Sequence, residues 1–356
     1  MTTRRFFLTT AGAALALPFL NRRARAATTI NIQIGSRHPT SNLWAHAMQS
    51  ALQPEVDRLL FEAGDNYRIR WHENYGGTLY RFTDTRAAVR DGIVDIGMVG
   101  RLWEGSAMPL QNVTYYMPFA NQAHNMVIEV FDELTETLPE LQSGWTSQNM
   151  LHLSSLVTDS YDIYANFPIA SVADIGNRRL NAPGSSANWL ANTGATPVDG
   201  ALTTYYPDIQ PGGSEGALSF ATGIQPTRVY EVAPHLARVG FGAMYFGGIA
   251  ANLQFFNRLP EEVQAAIREA GRLTSRAHGA YVTARAEAGV AEMQAAGLQV
   301  SDLSDAAKTE WAERLPNIAR TWADANGPAA VVVARAYFDA LRARGVTPAR
   351  DWTDGL

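Results

Sequence analysis

Val89-Arg90-Asp91-Gly92-Ile93-Val94-Asp95-Ile96-Gly97-Met98-Val99 joins a helix end to a strand across one short turn. On its N-terminal side a helix carries Phe82, Ala87 and Val89 toward Asp91-Gly92; on its C-terminal side Val94 to Val99 reads as a strand. Working back, Tyr67-Arg68-Ile69-Arg70-Trp71 alternates with period two and is closed by Tyr75-Gly76-Gly77. Before it, Leu43, Ala47, Leu52, Val56, Leu59 and Leu60 recur at helical spacing from a Ser41 N-cap to Gly64. Ile30-Asn31-Ile32-Gln33-Ile34-Gly35 is the first alternating strand. Strand, helix, strand, helix, strand predicts parallel pairing with helices covering the sheet.

Further on, the stretch from Trp103 to Phe119 is aromatic and lacks clean periodicity, so it reads as a long irregular connection. Helical spacing resumes over residues 122–143, and Met150 to Tyr164 is strand-like. Short helices are expected at Trp189–Gly194 and Tyr205–Gln210, with an apolar stretch from Phe241 to Ala250. Pro260-Glu261-Glu262 opens a long amphipathic helix, and Asp305 to Arg344 supplies more helix.

The N-terminus reads as an export signal. Arg4-Arg5 precedes an apolar run ending near Leu20, and Ala24-Arg25-Ala26 offers a small-residue cleavage site. The run is shorter than the ~20 residues a membrane-spanning helix needs. After such a cleavage about 330 residues remain, enough for two lobes with separate cores. A composition of 46% hydrophobic and 18% charged residues describes a globular chain, and a net charge of -5 argues against nucleic acid as a partner. With no cysteine, disulfides, thiolate chemistry and cysteine metal sites are excluded, and stability rests on packing.

Several local patterns occur in the order of a known family. They are Ile34-Gly35-Ser36-Arg37-His38-Pro39, Glu73-Asn74-Tyr75-Gly76-Gly77-Thr78-Leu79, the stretch 89–99, Phe167-Pro168-Ile169 with Val172-Ala173-Asp174-Ile175, and Ala251-Asn252-Leu253 followed by Leu259-Pro260-Glu261-Glu262-Val263-Gln264-Ala265-Ala266-Ile267. On these the chain resembles the substrate-binding subunits of TRAP transporters, the DctP-like family. The resemblance implies an α/β, two-lobed periplasmic solute-binding fold with hinge strands and a long bridging helix. It places lobe I at residues 27–157 plus about 245–275, and lobe II at 158–244 plus about 276–356, after a signal peptide of residues 1–26. It also implies a small organic acid as ligand, TRAP membrane subunits as partners, contact with the membrane surface that is only transient, and no cofactor.

The family's ligand carboxylate pairs with one arginine in the strand leading into the second lobe's first helix, a role suited to a guanidinium fork. Here Arg178-Arg179-Leu180-Asn181-Ala182-Pro183 puts Asn181 at that position, an amide without charge. Arg179 takes the role if the register slips, and Arg101 is the other alternative, from the end of the third strand. Aromatic residues cluster where strands end: Tyr75, Trp103, Tyr115, Tyr116, Tyr161, Trp189, Phe220, Phe241 and Tyr245. Core packing is the competing reading for each, and the stronger one for Tyr115 and Tyr116. Trp103, Trp189 and Phe241 follow expected strand ends, the rim where open α/β sheets bind ligands. Together with Asn252, and with a missing arginine, these residues suggest an aromatic or branched monocarboxylate rather than a C4 dicarboxylate.

Enzymatic signatures are missing. The seven histidines form no His-Glu-x-x-His pair, no Gly-x-Ser-x-Gly elbow occurs, and Gly240-Phe241-Gly242 lacks the rest of a dinucleotide fingerprint. His38 reads as a turn residue with ligand contact as the alternative. Glu73 and Glu215 read as solvated charges, with a bridging cation as the alternative. The rival functions are a secreted cofactor-containing enzyme exported folded and a ligand-sensing periplasmic partner protein.

Overall fold

The computed structural model describes residues 27–81, 84–100, 102 and 105–356. The expected signal peptide and the candidates Arg101 and Trp103 lie outside the described residues. The chain starts with β1 (Thr28–Gly35), α1 (Leu43–Ala47) and α2 (Gln53–Glu62), then β2 (Tyr67–Asn74), α3 (Thr85–Arg90) and β3 (Ile96–Gly100). β1 pairs in parallel with both β2 and β3, as the alternation predicts. The first helix is capped by Asn42 rather than Ser41: its side-chain oxygen accepts from the Trp44 N–H at 3.0 Å. It is also interrupted, since a π-helical turn at Met48–Leu52 separates α1 from α2. Pro54 supplies the reason, because it has no N–H to return to the carbonyl one turn back.

Residues Pro109–Tyr116, expected to be irregular, form a 3₁₀ helix with Pro109 in its first turn. The helical stretch that follows is two helices, α4 (His124–Thr137) and α5 (Pro139–Thr146), divided where Pro139 begins the second. Next come β4 (Met150–Ala165), β5 (Arg179–Asn181), β6 (Thr196–Val198), α6 (Tyr205–Ile209), β7 (Gly216–Ser219), α7 (Ala221–Thr227) and β8 (His235–Asn252). Trp189 lies in a 3₁₀ turn, Gly184–Leu190, rather than at the start of a helix, and Phe241 lies inside β8 rather than after a strand. The chain ends with α8 (Leu253–Asn257), α9 (Glu261–Ala295), β9 (Gln299–Asp302), α10 (Asp305–Arg314), α11 (Ile318–Asn326) and α12 (Pro328–Ala343). Among the described residues no helix is long and apolar enough to cross a membrane.

One sheet runs through the molecule in the order β2-β1-β3-β8-β4-β7-β5-β6, with β9 on β8. β3 pairs only with the C-terminal part of β8, at Gly247–Ala251, while β7 pairs only with the C-terminal part of β4, at Asp162–Ala165. Each long strand therefore contributes one end to each half of the sheet. Their shared antiparallel ladder slips in the middle: Thr158 and Asp159 stand against Met244 alone, and on the other strand Phe246 is the extra residue. The amides displaced by these bulges bond to side chains instead. Met244 N–H donates to Thr158 Oγ1 at 3.2 Å and Tyr245 N–H to Thr114 Oγ1 at 3.2 Å.

The long helix α9 spans both halves. Glu262, in its first turn, accepts from Asn66 beside β2, and Glu292, in its last, accepts from Gln225 of α7. Across the middle it lies directly on β4, where a Cβ on Gly271 would come within 2.2 Å of the Leu153 carbonyl oxygen. Gly271 is needed for that approach. Gly271→Ala should therefore lower stability, although alanine is favoured by about 1 kcal/mol over glycine in a free helix. Urea unfolding would show the sign; an unchanged or higher midpoint would mean that α9 can lift off β4 at little cost.

Candidate functional site

The strands of both halves end on a common cleft. From the first half, the turn after β1 brings in His38, Pro39, Ser41 and Asn42, and α1 brings in Trp44; from the second half come Ala201, Leu202 and Thr203 of the loop before α6, with Thr222, Gly223, Pro226 and Thr227 of α7. They enclose a cavity of about 190 Å³. A larger one of about 290 Å³ lies elsewhere, between α4, α5, β4 and α9, away from the strand ends. The smaller cavity has the position at which open α/β folds take their ligands.

Trp44 backs the cleft wall, only 1% exposed. Its indole stacks on Phe246 with centroids 3.4 Å apart, its Nε1 donates to the Val157 carbonyl at 3.1 Å, and His38 packs edge-on at 5.3 Å. Burial, assisted by the nearby Arg37 charge, holds the His38 imidazole down to about 4, so it is neutral at pH 7. Thr222 is oriented from behind by Asp159, whose carboxylate accepts its hydroxyl at 2.5 Å and the Ala221 N–H at 2.8 Å. Apart from His38, every described lining residue is apolar or carries an uncharged hydroxyl or amide. Such walls desolvate an apolar body and offer hydrogen bonds to a polar end.

Behind Trp44 the aromatic candidates form one continuous stack. Phe220 is 6.1 Å from Trp44 and 5.1 Å from Tyr161; Tyr161 meets Trp189 at 5.3 Å, and Trp189 stacks on Phe241 at 5.1 Å. Tyr115 joins through Tyr161 and Trp189, and the Trp189 Nε1 donates to its carbonyl at 2.7 Å. All of these side chains are buried. Three other candidates lie apart from the stack. Tyr245 stacks on Phe131 at 3.8 Å, and Tyr75 donates its hydroxyl to Gln53 at 2.7 Å. Asn252 caps α8 by accepting from the Phe255 N–H at 2.9 Å, while its amide donates to the Val89 and Arg90 carbonyls.

Asn181 is fully buried at the end of β5. Its amide nitrogen donates to Asp208 Oδ2 at 3.1 Å and to the Asp199 carbonyl at 3.5 Å, and its oxygen accepts from the Ser214 hydroxyl. These bonds tie down the loop that leads into the cleft wall at Ala201–Thr203. Arg179 is exposed, and its backbone N–H meets Glu215 at 3.1 Å. Glu215 also pairs with Arg178 at 2.6 Å, and Glu73 accepts from Gln49 and Gln53. No cluster of three metal-ligating side chains occurs among the described residues. Trp44 was not among the residues singled out from the sequence; the signal was its place just after the first strand-end turn.

A two-lobed α/β chain with its cleft at the strand ends and two crossing strands beneath is built as a solute receptor. The model for bacterial extracellular solute-binding proteins of family 7, DctP, matches residues 63–325, and the chain belongs to that family of receptors, which are not enzymes. The TRAP-type resemblance and the fold expected from it are thereby borne out. No curated protein matches the sequence. Among solved structures, the periplasmic ectoine-binding protein of a Halomonas elongata TRAP transporter superimposes with a TM-score of 0.77 at 19% identity, covering 88% of this chain and 100% of that one. A Bordetella pertussis extracytoplasmic receptor binding pyroglutamic acid gives 0.75 at 18%, covering 88% and 100%. A Roseobacter denitrificans TRAP solute-binding protein with bound β-D-glucuronate gives 0.72 at 21%, covering 88% and 99%.

Burial pushes the Asp159 carboxyl, behind Thr222, up to about 6, and that of Asp162, further along the same strand, up to about 7. A carboxyl raised in the folded state stabilises the fold fully below its unfolded value of 3.8, and loses that contribution as pH rises through about 7. Asp162→Asn retains an oxygen to accept the Gly240 N–H, which lies 2.8 Å away, and removes the titration. Relative to the natural chain, the variant's melting temperature should rise steadily between pH 4 and 8; a constant difference across that range would refute the assignment.

Proposed function

We propose that this chain is the periplasmic receptor of a TRAP-type uptake system, capturing a small organic acid in the cleft and delivering it to the membrane subunits through transient contact at the membrane surface. In this reading residues 1–26 direct export, with Arg4-Arg5 as a twin-arginine signal. Residues 27–157 plus about 245–275 form lobe I, and 158–244 plus about 276–356 form lobe II. The change of partners along β4 and β8 supports a division near Val157 and Tyr245.

The observation that carries the ligand reading is the uncharged cleft wall around Trp44. A dicarboxylate would bring two charges into a cavity whose described lining offers no ion pair, and burying an unpaired charge is expensive. An aromatic or branched monocarboxylate suits it better. Its body would pack on Trp44 and Leu202, backed by Phe220, Tyr161 and Trp189, while hydroxyls and the neutral His38 receive its polar end. Arg101 is the candidate to meet the carboxylate. Asn181, held by Asp208 and Ser214, shapes the Ala201–Thr203 wall from behind. Receptors of the same fold are described with glucuronate, pyroglutamic acid and ectoine, all small acids.

A thermal-shift screen of the mature chain tests this, because a ligand at a hundred times its dissociation constant adds about 2.7 kcal/mol to native stability. Aromatic and branched monocarboxylates should raise the melting temperature, and succinate should not. Tight binding of succinate would overturn the ligand class. A complete lack of response to organic acids would overturn the receptor reading.

A further inference from the structure

The peptide group of Val157 sits at the point where the β4–β8 ladder slips, and side chains from two other elements hold it. Its carbonyl accepts from Trp44 Nε1 of α1 at 3.1 Å, and His278 Nε2 of α9 lies 3.1 Å from both its amide nitrogen and its carbonyl oxygen, accepting from the N–H or donating to the carbonyl according to the imidazole tautomer. Trp44 backs the cleft and His278 sits at the middle of the bridging helix, and both side chains are buried. One turn earlier on α9, Ser275 Oγ accepts the Ser155 N–H at 2.9 Å. Ser155 is in register with Gly248 while Val157 stands at the slip, so α9 holds β4 on both sides of the change in register. A buried peptide N–H left without an acceptor costs about 1–3 kcal/mol, so the arrangement defines a preferred hinge geometry.

We propose that the Val157 peptide is a latch between the cleft and the bridging helix, with Trp44 and His278 as positioning residues that set the interlobe angle. A ligand in the cleft bears on His38 and the indole it packs against, the indole holds the Val157 carbonyl, and the same peptide holds α9 through His278. The proposal rests on the receptor reading, since it concerns how occupancy of the cleft reaches the hinge. The indole is suited to this coupling because one edge is a donor while its ring is packed between Phe246 and His38 at the cleft.

The chain contains no cysteine, so a spin-label pair can be introduced cleanly at the exposed positions Ala63→Cys and Gln210→Cys, on opposite halves. Pulsed dipolar spectroscopy on the ligand-free mature chain then reads the interlobe distance. Trp44→Phe retains an aromatic ring and removes the donor, and His278→Leu removes the imidazole's hydrogen bond to the peptide. Each should broaden the distribution or move its mean by more than about 2 Å, the scale of a domain rearrangement. His278→Gln, whose amide can both accept and donate, should recover the natural distribution. Should His278→Leu fail to fold, Trp44→Phe alone decides. Variants that melt earlier but keep the natural distance would overturn the latch and leave these bonds as packing only. This readout uses no ligand, so its failure is distinct from failure of the organic-acid screen.

Discussion

The antiparallel pairing of β4 with β8 is the constraint on which the rest of the molecule depends. Both strands are longer than a single half of the sheet requires, and each finds different outer partners at its two ends. A regular ladder over that length would make one stiff twisted ribbon. The bulges at Thr158–Asp159 and Phe246 break it, bend both strands and free backbone groups that must find partners elsewhere. Those partners are Thr158, Thr114 and His278, which accounts for these buried polar side chains in an otherwise apolar core.

The first half of the fold was legible because its strands alternate cleanly and its connections are short. Ile30 to Gly35, Tyr67 to Trp71 and the stretch 89–99 place their strands within a few residues of those observed. Reading failed where proline or a local side-chain bond, rather than periodicity, decides the backbone. Pro54 imposes the π turn, Pro109 opens the 3₁₀ segment, Pro139 divides two helices, and Asn42 displaces Ser41 as cap. β8 was legible only as an apolar stretch, because a strand buried on both faces has no alternation.

The cleft was less legible than the fold, for a related reason. A large aromatic on a helix face looks the same whether it faces a core or a cavity, and only the approach of the second half makes Trp44 a cleft residue. The aromatic stack of Tyr161, Trp189, Phe220 and Phe241 was visible as a set of types without its order. Asn181 was visible as a departure, but its partners Asp208 and Ser214 are far along the chain. Its amide is as well bonded as a structural one, which no local pattern announces.

The glycine contact beneath α9 has a mechanical meaning. At 35 residues the helix is about 50 Å long, and Gly271 to His278 lie near its middle, where it rests on β4. It is therefore supported like a balance beam, with arms of roughly 25 Å reaching toward the outer surfaces of both halves. A tilt of about 5° at that fulcrum would carry each end by about 2 Å. A shift of the hinge strands too small to alter their packing would thus emerge at the two tips of the beam as paired, opposite displacements.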